Sequence, residues 1–169
     1  GWSASRPPLF FWLAAAVARL VGATGPEAME RAVVAVRLVI AAVGLVPAWL
    51  AARLVARRDP ERPLRAVLAG ALVLCAPAHI ALSAMFNEEI LVATLTSVGV
   101  VGALRVREAG GLGASTRGAG AHGAVWRTAG VGLACGLAAM TKLTGALAGI
   151  AVLAAWTIAA LRQGGPPRL

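Results

Sequence analysis

Lys142 is the only lysine in a chain with 16 lysines and arginines, and it interrupts an apolar stretch from Thr128 to Leu161 that holds no other charge. An ionisable side chain at membrane depth costs roughly 2.5–3.5 kcal/mol on insertion scales, so such residues usually face a cavity and act there. Two readings are open for it. The ammonium can snorkel to a nearby interface, or it can serve an anion as a compact point charge. A second cluster, Asn87-Glu88-Glu89, separates two apolar stretches. Asparagine is a good helix N-cap and acids favour a first turn; adjacent carboxylates also suit a divalent cation or a sugar hydroxyl. Arg6 is the third candidate, either as an ordinary headgroup contact or as a planar fork of donors for phosphate oxygens. A lipid phosphate beside these cations would be held at headgroup level, and the cations would stabilise negative charge building on it as a leaving group.

The remaining reactive residue types carry less. Cys75 and Cys135 stand singly in separate apolar segments with no CxxC or Cys/His spacing, so they read as small buried side chains and no metal site is assigned. His79 follows Pro77 by two residues; packing with a hydrogen bond and a proton relay are both open to it. Gly132-x-x-x-Gly136 and Gly145-x-x-x-Gly149 are small-residue faces for close helix contact.

The elements that must position these groups are membrane helices. The 169 residues are 59% hydrophobic and only 14% charged, with a mean hydropathy of +0.80. A soluble domain carries about 25% charge. The net charge of +9 does not point to nucleic acid, because the arginines gather at segment ends rather than on a basic face with stacking aromatics.

Apolar stretches predict helices over about 32–55, 66–86, 88–106, 128–140 and 143–161, with kinks at Pro47 and Pro77. The last two come from one stretch. A straight helix over Thr128–Leu161 would run about 50 Å against a bilayer core of about 30 Å, so a break is expected at Thr141-Lys142-Leu143-Thr144-Gly145. Arg53, Arg57, Arg58, Arg62 and Arg65 surround one polar turn, and Arg105, Arg107, Arg117 and Arg127 flank the other. Two crossings separate these loops, so both lie on one side, and the positive-inside rule makes that side the cytoplasm. Residues 107–127 read as a flexible, glycine-rich cytoplasmic loop. Residues 1–31 then form an outer segment. Its apolar run 8–21 would cover only about 21 Å as a helix, so it is expected to lie on the outer face as an interfacial helix, with a tilted crossing as the alternative. The fold class is all-α: a polytopic membrane bundle with a juxtamembrane helix, which puts Arg6, Asn87-Glu88-Glu89 and Lys142 on the outer side.

Three stretches together resemble a known superfamily. Arg6-Pro7-Pro8-Leu9-Phe10-Phe11-Trp12 is similar to the Lys/His-Pro-Pro-Leu-aromatic-aromatic-Trp motif of polyprenyl-phosphate-sugar-dependent glycosyltransferases of the GT-C superfamily, which include protein O-mannosyltransferases and aminoarabinose transferases. Gly132-Leu133-Ala134-Cys135-Gly136-Leu137-Ala138-Ala139-Met140-Thr141-Lys142 resembles their GLxxGLAxLTK segment, and Phe86-Asn87-Glu88-Glu89-Ile90-Leu91 stands at their acidic turn. The resemblance implies transfer of a sugar from a polyprenyl-phosphate donor to a glycan, lipid or protein acceptor outside the cytoplasm of a multi-pass cell-membrane protein. It assigns Arg6 and Lys142 to the lipid phosphate. Asn87 stands where relatives often carry Asp, so Glu88, with Glu89, is the stronger expectation for the sugar or cation side. No cofactor is assigned, and a divalent cation stays open through the adjacent carboxylates. The resemblance also places the catalytic carboxylate upstream of the Pro-Pro motif, so the chain reads as a piece of a transferase core with the base before Gly1. Two other classes compete: a transporter fragment with Lys142 at a broken helix near mid-membrane, and a scaffold whose small-residue faces bind partner helices.

Overall fold

A computed structural model describes residues 9–23, 25, 28–84, 88–108 and 121–163. These form α1 (Leu9–Leu20), α2 (Met29–Arg58), α3 (Pro63–Leu74), α4 (Pro77–Ala84), α5 (Glu89–Glu108), α6 (Ala121–Thr141) and α7 (Leu143–Gln163), with no strand among the described residues. α2 and α5 are each long and apolar enough to cross a membrane, and α3 with α4 makes a third such span if the bent pair counts as one. Large apolar side chains such as Leu38, Leu45, Leu72, Leu147 and Ile150 remain exposed on the outside of the bundle. This is the surface of a membrane protein, whose apolar exterior meets lipid tails rather than water.

α5 lies at the centre, packed on α2, α6 and α7, while α3 and α4 cover α2. The Gly44 and Ile90 contact, midway along α2, and the Arg58–Glu108 ion pair at 3.3 Å show that α5 runs parallel to the second half of α2. Residues 53–65 and 105–108 therefore meet at one end of the bundle, with Glu88 and Glu89 at the other.

Pro47 explains how α2 is tied to its neighbours. Without an N–H, proline leaves the carbonyl of Val43 unpaired inside the helix. The buried Thr94 hydroxyl of α5 donates to that carbonyl at 3.1 Å. One residue on, His79 Nε2 of α4 donates to the Gly44 carbonyl at 2.9 Å. His79 is thus a hydrogen-bonded helix tie. Thr94→Val keeps the shape of the side chain and orphans the Val43 carbonyl, so a loss of about 1 kcal/mol in unfolding free energy is expected, measurable by denaturant titration in micelles.

Several expected boundaries shift. The single helix 66–86 is two helices bent by 56° at a break before Pro77, because proline clashes with the turn preceding it and disfavours helical geometry in the residue before. α2 runs past 32–55 at both ends and carries an exposed Arg37; its 30 residues span about 45 Å, longer than a bilayer core. α6 starts at Ala121, inside the stretch 107–127 expected as loop; its first turns, Ala-His-Gly-Ala-Val-Trp-Arg, mix glycine, histidine and arginine with apolar residues, so hydropathy marks no start there. α1, with 12 residues, covers about 18 Å. It buries Phe10 and Val17 in one cluster with Val36 and Ile40 of α2 and Ile90 of α5, at the Glu88 end of the bundle.

Candidate functional site

The site begins with how one residue interrupts a helix. Lys142 N–H donates to Ala138 O at 3.2 Å and so closes α6. Its own carbonyl accepts from Gly145 N at 2.9 Å and Ala146 N at 3.3 Å and so opens α7. Thr141, almost fully buried, turns its hydroxyl back to Leu137 O at 2.8 Å. The chain then reverses. A Cβ placed on Gly145 would overlap the Ala138 carbonyl, and one on Gly149 would come 3.3 Å from Cys135 Cβ. In a continuous helix residues 135 and 149 would be about 21 Å apart, so α6 and α7 form an antiparallel hairpin with Lys142 at its tip. Of the two glycine pairs, Gly145 and Gly149 make the close contact. Gly132 and Gly136 meet nothing within 4 Å; α5 meets α6 through Gly99 and Gly102, which approach Cys135 and Val131.

The tip carries Lys142 to the start of α5. Its Nζ forms an ion pair and hydrogen bond with Glu89 Oε1 and lies 3.8 Å from Glu88 Oε1. The side chains are 35%, 32% and 21% exposed respectively, so the cluster is neither dry nor freely solvated. Helix ends reinforce it. Val92 N–H bonds to Glu88 O at 3.1 Å, which puts Glu88 at the N-cap and Glu89 in the first turn. There the positive end of the helix dipole favours carboxylates, and these hold the ammonium, which sits between the negative end of α6 and the positive end of α7.

Lys142, Glu88 and Glu89, distant in sequence, are therefore together. Arg6 and Asn87 lie outside the described residues. Among the described residues no three His, Cys, Asp or Glu side chains converge as a metal group, so a cation here would find these two carboxylates. Cys135 is a buried free thiol as expected, whereas Cys75, expected to be buried, is an exposed one. Of the two readings open for His79, the packing hydrogen bond is the one seen; for Thr94 the sequence offered only Pro47, four residues after the carbonyl it leaves open.

No protein-family model matches the chain, and no curated protein or solved structure is significantly similar to it. The GT-C resemblance rests on its three motifs alone.

Proposed function

We propose that the chain is part of a membrane glycosyltransferase that moves a sugar from a polyprenyl phosphate to a glycan, lipid or protein acceptor on the extracytoplasmic side of the cell membrane. The observation that carries this reading is the meeting of Lys142 with Glu88 and Glu89 at a hairpin tip. Such a tip suits a ligand whose phosphate stays at headgroup level while its hydrocarbon tail runs down the apolar outside of the bundle. In the polytopic arrangement proposed, the arginine-rich end is cytoplasmic and α1 lies along the outer interface, against Val36 and Ile40 of α2.

In the reaction, an acceptor hydroxyl oxygen attacks the anomeric carbon and the bond from that carbon to the phosphate oxygen breaks with inversion. A carboxylate base outside these residues takes the hydroxyl proton, and the polyprenyl phosphate departs with the bonding pair. Lys142 stabilises that departing charge. Among the described residues one ammonium faces two carboxylates, and attracting an anion to this cluster takes a further cation. In this reading Arg6, which the resemblance assigns to the lipid phosphate, supplies it. A divalent cation on Glu88 and Glu89 would do the same.

A transporter built on Lys142 would hold it at mid-membrane. Its partner Glu89 is the first residue of α5, a placement that favours the transferase. The test is photolabelling, in membranes, of a protein containing this chain with a photoreactive polyprenyl-phosphate sugar. Label on peptides holding Glu88, Glu89 or Lys142, competed by unmodified donor, is expected; label elsewhere or without competition rejects the proposal.

A further inference from the structure

At the opposite end of the bundle three arginines from three helices face one cavity. Arg57 of α2, Arg105 of α5 and Arg127 of α6 line a space of about 610 Å³, together with Glu108, Val98, Gly102, Gly130 and Val131. Positive-inside topology explains arginines near this surface, but not their convergence. Three like charges on separate helices repel one another, and Glu108, shared with Arg58 at 3.3 Å, offsets at most one of them. The cavity therefore keeps an excess of positive charge that an anion would balance. Its shape narrows the choice. Arg57 and Arg105 stand in the last turns of α2 and α5 and Arg127 about two turns into α6, whereas Val98 lies two turns deeper along α5, roughly 10 Å from Arg105 by helical rise. A charged mouth over an apolar floor fits an anionic head with a hydrocarbon part behind it. The same end carries the aromatic side chains of a membrane interface: Trp126 is 77% exposed beside Arg127, and Trp49 is stacked under the Arg53 guanidinium at 4.8 Å.

We propose that Arg57, Arg105 and Arg127 form a binding site for a phosphate ester, either the head of an anionic phospholipid or a soluble phosphate. Basic pockets between membrane helices hold lipid phosphates through charge-assisted, forked hydrogen bonds. This site is independent of the Lys142 cluster and of the transferase reading.

The test reconstitutes the full chain in phosphatidylcholine nanodiscs with a minority of phosphatidylglycerol and counts retained lipid by native mass spectrometry. Preferential retention of phosphatidylglycerol is expected. Arg57→Gln, Arg105→Gln and Arg127→Gln together should weaken it roughly 100-fold, each cation contributing about fivefold. Arg127→Gln alone, on an exposed side chain, should cost about fivefold with the fold intact. Arg62→Gln, outside the cavity, should cost nothing. Displacement by millimolar inorganic phosphate assigns the site to a soluble ester, and resistance to it assigns the site to lipid. Equal retention of both lipids with no phosphate bound overturns the proposal, as does undiminished binding in the triple variant.

Discussion

In the transferase proposed above, Lys142→Ala, made in a protein containing this chain, is expected to lower sugar transfer by a factor of about 100 to 1000, the loss that follows removal of one preorganised donor from a developing anion. The substitution does more than delete a cation. It leaves Glu88 and Glu89 side by side at the mouth without the ammonium that now lies against both, so the donor phosphate would meet two carboxylates instead of a mixed cluster. The loss should fall mainly on kcat where the ammonium acts on the departing phosphate, and on KM where it also holds the ground state. Lys142→Arg keeps the charge but replaces a point donor by a planar fork, and should retain part of the activity. Membrane insertion and expression should match the parent protein, because Lys142 closes α6 and opens α7 through its backbone. Unchanged turnover in Lys142→Ala removes the residue from the site.

Gly145→Leu is expected to open the hairpin. A Cβ at this position overlaps the backbone carbonyl of Ala138, which cannot rotate away as a side chain could. Overpacking a tight contact costs about 1–3 kcal/mol and more where backbone must move. α7 would have to withdraw from α6, and the carbonyl that accepts the Lys142 N–H would shift with it. A thiol introduced by Gly149→Cys reports the separation, since a Cβ there lies 3.3 Å from Cys135 Cβ. With Gly145→Leu added, its disulfide with Cys135 should fail to form. Gly132→Ala and Gly136→Ala are the contrast: nothing lies within 4 Å of an added Cβ, so cross-linking should persist.

Much of this arrangement can be read from the residues, by way of length and charge. The stretch Thr128–Leu161 is too long for one crossing, and its lone charge marks where it yields. Arginine loops two crossings apart must share a side, and α2 and α5 indeed end together at the Arg58–Glu108 pair. What stayed hidden depends on neighbours. Hydropathy cannot show that Thr94 reaches the carbonyl Pro47 leaves open, because the two lie 51 residues from Val43 to Thr94 along the chain. It cannot tell a crossing helix from the bent α3/α4 pair, because apolar content is the same in both. Nor does it separate the glycine pair that meets α6 from the pair that meets nothing. Arg57, Arg105 and Arg127 read as topology signals one by one; only the packing of α2, α5 and α6 gathers them into a cavity.

The placement of Lys142 against Glu88 and Glu89 requires the backbone to turn back on itself there. Disulfide formation between Cys135 and Gly149→Cys, with Gly145 intact and Cys75→Ser removing the other thiol, tests that requirement directly. A reversal puts the two Cβ atoms near the spacing of about 3.8 Å that a disulfide needs, so mild oxidation should consume both thiols, seen as loss of maleimide mass-tagging. Two thiols that stay fully taggable would mean a helix running straight through Lys142, and the cluster described above would not exist.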